Sequence, residues 1–134
     1  MEKEIQELIQ QARLAGEKAY APYSKFKVGA ALLTGSGKIF SGGNIENASY
    51  GLSICAERVA VFKAVSGGEV KLKLMVIYAD TEELTAPCGA CRQVLAEFNP
   101  KLEIILVNKK GEMKAFNLEK LLPEPFGLKK DPHD

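Results

Sequence analysis

Cys55, Cys88 and Cys91 are the only cysteines of this chain, and they stand in two short runs, Cys55-Ala56-Glu57 and Pro87-Cys88-Gly89-Ala90-Cys91. A metal held by all three forces the two runs to meet, so any fold of the chain has to bring them together. Zinc is usually four-coordinate: a structural site fills all four positions with Cys or His, and a catalytic one leaves a position to water. Here the ligands run out at three. The single histidine, His133, lies in the polar ending Lys129-Lys130-Asp131-Pro132-His133-Asp134, where little order is expected. An open coordination position follows.

At 134 residues the chain fits one domain, 1–134, with about 127–134 as a flexible tail. Its 18 Lys+Arg against 17 Asp+Glu announce no partner by net charge. The start, Met1-Glu2-Lys3-Glu4-Ile5, lacks the pattern of a signal peptide, and no apolar run reaches the roughly 18 to 20 residues of a membrane span. A cytoplasmic protein is expected. In a reducing compartment an odd cysteine count favours metal binding or catalysis over disulfides. The plainer alternative is three buried, unliganded core cysteines.

Ile5, Leu8, Ile9, Ala12, Ala15 and Ala19 recur at helical spacing, which predicts an amphipathic helix over residues 3–19. Val28 to Thr34 reads as an apolar strand, Gly35-Ser36-Gly37 as a turn and Lys38 to Ser41 as the return strand of a hairpin. Residues 55–65 are apolar on all sides and predict a buried helix, stopped by Ser66-Gly67-Gly68. Leu72 to Ala79 and Leu102 to Val107 are strands, with a helix from Cys88 to Phe98 between them. Met113 to Phe116 is a last strand, and a short segment with Leu118, Leu121 and Leu122 follows. Apolar strands separated by helices predict an α/β fold, a three-layer α/β/α sandwich on a five-stranded sheet expected to be mostly parallel.

Both cysteine runs fall where a helix begins, and helix N-termini favour anions, here thiolates. Three thiolates on Zn²⁺ leave the centre negative, which weakens the metal as a Lewis acid. Arg58, three residues after Cys55 and on the same helical side, is the candidate to balance that charge. It can also be read as an ordinary exposed helix charge. Glu57 lies two residues from Cys55, within reach of a water on the metal yet outside the ligand set. With no ordered histidine expected, Glu57 is the candidate acid and base. The plain reading of Glu57 is a first-turn glutamate favoured by the helix dipole.

Cys55-Ala56-Glu57-Arg58 with Pro87-Cys88-Gly89-Ala90-Cys91-Arg92-Gln93 resembles the zinc signature of the cytidine deaminase family, in its small homotetrameric type. The resemblance extends over Ala21-Pro22-Tyr23-Ser24-Lys25-Phe26, Val28-Gly29-Ala30-Ala31, the stretch from Gly43 to Tyr50, and Leu121-Leu122-Pro123-Glu124-Pro125-Phe126. It implies one Zn²⁺ per chain on Cys55, Cys88 and Cys91, and a mixed five-stranded sheet. It also implies hydrolytic deamination of cytidine and deoxycytidine in pyrimidine salvage, with Glu57 carrying a proton to ring N3 and on to the departing amine. By the same resemblance Asn44 and Glu46 grip the sugar, and Phe26 packs on the pyrimidine. Backbone groups at Ala56 border the base, and Tyr50 and Phe126 reach a neighbouring subunit's site. Each of these residues also has an ordinary reading as a turn, core or tail residue. Gly51-Leu52-Ser53-Ile54 fits no recognisable pattern.

Two other classes compete. One is a zinc deaminase acting on another aminonucleoside, such as a nucleoside antibiotic; Asn44 and Glu46 weigh against it. The other is a non-catalytic protein with a structural metal or an iron–sulfur cluster. No nucleic-acid partner is expected, because no basic stretch with interleaved aromatics is present. No membrane partner is expected either.

Overall fold

A computed structural model describes residues 2–128 of the chain. Helix α1 spans Glu2–Glu17, and strands β1 (Val28–Thr34) and β2 (Ile39–Gly43) form a hairpin. A 3₁₀ turn, Tyr50–Leu52, leads to α2 (Ala56–Ser66), β3 (Leu72–Ala79) and α3 (Gly89–Phe98). Strands β4 (Glu103–Val107) and β5 (Met113–Asn117) follow, then the single turn α4 (Leu118–Leu121), capped by the Asn117 side chain, which accepts from the Glu119 N–H. His133 and the rest of the polar ending lie outside the described residues.

The five strands form one sheet in the order β2-β1-β3-β4-β5. Only β3 and β4 run parallel; β1 pairs antiparallel with both β2 and β3, and β5 pairs antiparallel with β4. The sheet is therefore mixed, as the family resemblance implies, and the expectation of a mostly parallel sheet drawn from the apolar strands is corrected. That expectation rested on apolar strands buried on both faces. Burial on two faces requires only cover on two faces, which helices give to antiparallel strands as well.

Alternation along β1 shows the layers. Ala30 and Leu32 point into a core shared with Ala60, Val61 and Ala64 of α2 and Leu95 of α3. Ala31 and Leu33 point the other way, onto Leu8 and Ala12 of α1. This period-two split on a strand that is buried throughout makes the three-layer sandwich. The closeness of α1 depends on Gly29: a Cβ there would lie 1.8 Å from the Ala12 carbonyl oxygen, so no side chain fits.

Helix α2 departs from expectation in one respect. It buries Ala56, Glu57, Ala60, Val61 and Ala64, but Phe62 and Lys63 are exposed. One face of the helix covers the sheet, Val59 and Val65 are half-buried at its margins, and Phe62 points outward in the single chain. The helix is buried on one side only.

Candidate metal centre and nucleoside site

The residue before each helix is a cysteine in extended conformation: Cys55 precedes α2 and Cys88 precedes α3. Cys91, in the first turn of α3, is buried. Both helix N-termini converge on one point. Cys55 Sγ lies 3.8 Å from Cys88 Sγ, and Cys88 Sγ lies 3.5 Å from Cys91 Sγ. Disulfide sulfurs sit about 2.05 Å apart, so these are free thiols in a cluster. Tetrahedral thiolates at about 2.3 Å from zinc stand about 3.8 Å from one another, and the sulfur positions match that spacing. Among the described residues this is the one group of three metal-ligating side chains with mutually close donor atoms, and Glu57 is not part of it. The donor set fits zinc with a fourth position left open.

Charge at the cluster is managed by its neighbours. Arg58 Nη2 donates to Cys55 Sγ at 3.4 Å. A hydrogen bond from the Cys91 thiol, with the Arg58 guanidinium beside it, holds the Cys55 thiol down to about 5. Cys91 is pushed up, by sharing its proton with Cys55, by burial and by the Glu57 charge. The cluster thus concentrates negative charge on the sulfur that Arg58 faces. Arg58 Nε is buried with no hydrogen-bond partner, a cost that protein interiors rarely tolerate away from functional sites.

Glu57 is 5% exposed, although it is a charged residue on the first turn of a helix. Burial pushes its carboxyl up from the usual range, and the negative charge of Cys55 adds to the effect. Both causes penalise the ionised form. A carboxyl with raised proton affinity beside a metal-ligating cluster suits proton transfer.

The Asn44–Glu46 segment is brought to this centre by its middle residue. Ile45 and Ile54 exchange two backbone hydrogen bonds at 2.9 Å, so the segment lies beside the residue that precedes Cys55. This is the role of the stretch from Gly51 to Ile54 that the sequence leaves unexplained. Ser53 assists, its Oγ accepting from the Asn47 N–H at 3.0 Å.

Asn44 and Glu46 hold the loop that carries Phe26. Asn44 Oδ1 accepts from the Val28 N–H, and its Nδ2 donates to the Phe26 carbonyl, both at 2.9 Å. Glu46 Oε1 accepts from the N–H groups of Tyr23 at 3.0 Å and Ser24 at 3.1 Å, and Oε2 accepts from the Ser24 hydroxyl. The Ser24 hydroxyl, then the two N–H groups and the Lys25 charge, hold the Glu46 carboxyl below its ordinary range despite some desolvation. A cavity of about 370 Å³ is lined by Tyr23, Ser24, Glu46, Tyr50 and Ser53.

The remaining expected residues are spread around these two clusters. Phe26 is partly exposed, and Tyr50, three-quarters exposed, packs edge-on against Tyr23 with ring centroids 6.3 Å apart. Ala56 is fully buried, and as the first residue of α2 its N–H has no acceptor within the helix. Phe126 keeps an exposed ring, but its backbone is tied to α3: Gln93 Nε2 donates to its carbonyl at 2.8 Å and Gln93 Oε1 accepts from its N–H at 3.2 Å. Gln93 and Arg92 are contributors that sequence reasoning assigned no role. Arg92 donates to the carbonyls of Pro87 at 2.8 Å and Leu121 at 3.0 Å, tying the approach to Cys88 to the end of α4. Their place next to Cys91 was the only signal available.

Comparison with known proteins agrees with the site. The family model for the cytidine and deoxycytidylate deaminase zinc-binding region matches residues 2–107. The chain is 50% identical over 124 residues to a cytidine deaminase of Sporosarcina psychrophila, covering 92% of this chain and 91% of that one. It is 49% identical over 122 residues to a cytidine deaminase of Halalkalibacterium halodurans, covering 90% and 92%. The crystal structure of cytidine deaminase from Burkholderia pseudomallei superposes with a TM-score of 0.87 at 49% identity, over 90% of this chain and 98% of that one. The chain belongs to the cytidine and deoxycytidylate deaminase family.

Proposed function

We propose that this protein is a zinc-dependent hydrolase that deaminates cytidine and deoxycytidine to uridine and deoxyuridine, releasing ammonia. The observation that carries this reading is the buried Glu57, outside the metal-ligating set yet next to it in the chain, in a member of this family. Cys55, Cys88 and Cys91 would hold the zinc ion, which when bound supplies the Lewis acidity that makes water a nucleophile near neutral pH. Glu57 takes a proton from the attacking water, delivers it to ring N3, and then carries a proton to the amine leaving C4. Arg58 offsets the negative charge of the thiolates.

Hydrogen-bond capacity supports the sugar reading. An ionised carboxylate offers about four acceptor sites, and three of those on Glu46 are taken by Tyr23 and Ser24. Asn44 has used one of its two amide protons on the protein, in its bond to Phe26. One acceptor site on Glu46 and one donor on Asn44 remain, a pair that suits a sugar hydroxyl. Because deoxycytidine is a substrate in this reading, that hydroxyl is one the two nucleosides share. Phe26 stacks on the pyrimidine, and the Ala56 N–H borders the base edge.

The exposed rings of Tyr50 and Phe126, with the outward-facing Phe62, support a homotetramer whose subunits complete one another's sites. The setting that fits is pyrimidine nucleoside salvage in the cytoplasm, and no helix among the described residues is long and apolar enough to cross a membrane. The test is one ultraviolet assay comparing cytidine, deoxycytidine, cytosine and cytidine monophosphate, with zinc and ammonia measured alongside. The expected result is turnover of the two nucleosides, one ammonia per nucleoside consumed and one zinc per chain. Zinc-loaded protein that leaves both nucleosides unchanged would refute the proposal.

A further inference from the structure

The geometry points to Ser24 as a positioning residue: its hydroxyl joins the carboxylate facing the sugar to the backbone that carries the ring facing the base. The inference rests on the sugar reading of Glu46 and the base reading of Phe26. Ser24 Oγ donates to Glu46 Oε2 and accepts from the Phe26 N–H at 3.0 Å. A hydroxyl with one proton to give is thereby fixed in direction. The Phe26 carbonyl is in turn held by Asn44 Nδ2 at 2.9 Å. Both backbone polar groups of Phe26 are therefore held by side chains, and both connections lead to the Asn44–Glu46 segment.

Packing does not do this work, because Phe26 is 40% exposed. Lys25, between Ser24 and Phe26, has φ of 61°, in the left-handed region that a lysine seldom adopts. Such a conformation persists only where its surroundings over-determine it. Here the holding groups are the Ser24 hydroxyl, Glu46, Asn44 and the bond from the Lys25 N–H to the Ala21 carbonyl at 3.0 Å. Without the Ser24 hydroxyl, Glu46 loses the donor that orients Oε2, and Phe26 loses its N–H anchor. Base and sugar contacts then loosen together, while Glu57 and the three cysteines, on other segments, keep their arrangement.

The experiment compares Ser24→Ala, Ser24→Thr, Glu46→Gln and the double variant Ser24→Ala/Glu46→Gln as zinc-loaded full-length protein, with cytidine, 3′-deoxycytidine and 5′-deoxycytidine as substrates. Ser24→Ala is expected to raise KM for cytidine about tenfold, the scale of one hydrogen bond to a charged group, with kcat and zinc content near those of the parent. The double variant is expected to raise KM by less than the product of the two single effects, because both changes break the Ser24–Glu46 connection. Unchanged kinetics in Ser24→Ala, a loss confined to kcat, or single effects that multiply in the double variant would each overturn the inference. Should Ser24→Ala also lose zinc or thermal stability, Ser24→Thr decides: a KM like the parent's supports the relay, and one like the alanine variant's overturns it. If Glu46→Gln discriminates cytidine from both 3′-deoxycytidine and 5′-deoxycytidine as the parent does, the sugar reading falls and the inference with it; a silent Ser24→Ala alone removes only the inference.

Discussion

Glu57 and Glu46 are two glutamates beside one site, and their surroundings push their protons in opposite directions. Glu57 lies in the first turn of α2, where burial and the Cys55 charge raise its carboxyl. Glu46 lies in an exposed loop, where the Ser24 hydroxyl and two N–H groups lower its carboxyl. Environments that separate like groups in this way assign them different work. A glutamate that keeps its proton more readily can carry one, whereas a glutamate that stays ionised can only accept hydrogen bonds.

The contrast can be tested in descending order of effect. Glu57→Gln removes the proposed proton carrier but keeps the shape of the side chain, so kcat for cytidine should fall by several powers of ten while zinc stays bound. Near-normal turnover would erase the distinction between the two carboxylates. In zinc-free protein at neutral pH the same variant should be no less stable than the parent, because a carboxyl with a raised folded-state pKa loses stability as pH rises and the amide has no such loss. Thermal unfolding measures this directly.

Arg58→Ala should keep one zinc per chain but lower kcat by roughly 10 to 100-fold, the range for removing a partner that tunes a metal ligand. Metal analysis together with steady-state kinetics checks both parts. Glu46→Gln should act the other way round, raising KM for cytidine by about 10-fold or more with a smaller change in kcat, since the loss is in binding and not in proton transfer. Equal loss in kcat and kcat/KM would place Glu46 among the reacting groups and blur the comparison.

The pH profile sharpens the same point. The folded pKa of Glu46 is lowered, so the stability it lends the Tyr23–Phe26 loop is fully present above the unfolded value, about 4.3, and is lost as pH falls through the folded value. KM for cytidine should therefore stay flat through the ordinary carboxylate range and rise only below it. A rise that begins above pH 5 would show that Glu46 is not held ionised.

Glu69 supplies the smallest effect and the control. It too is half-buried and held ionised by hydroxyls, those of Ser36 and Thr34, but it closes the turn between β1 and β2. Glu69→Gln should lower the Tm slightly and leave kcat and KM unchanged. Hydroxyl-to-glutamate bonds are thus not functional in themselves; the Ile45–Ile54 bridge gives those of Glu46 their place beside the metal centre.

How much of this was legible depends on distance along the chain. The strand from Leu72 to Ala79 matches its apolar run, and the helix from Gly89 to Phe98 starts one residue after the cysteine that was expected to open it. The Arg58 contact with Cys55 was readable from a three-residue spacing on a helix. Strand direction was not readable from the apolar runs, because that of β1 reports burial on two faces and says nothing of how its neighbours run; only the family resemblance implied a mixed sheet. The exposure of Phe62 was equally hidden, since its sequence neighbours are as apolar as those that face the sheet.

The sequence by itself determined the candidate donor atoms, the glutamate proposed as proton carrier beside them and the helix starts that favour thiolates. These depend on residue type and on spacings of a few residues, where chain geometry leaves little choice. Only the tertiary structure decided that Ile45 pairs with Ile54, that Ser24 meets Glu46, and that one glutamate is buried while the other is only half-buried in a loop. Those outcomes come from contacts between distant segments, set by how the helices pack on the sheet, and no local pattern encodes them.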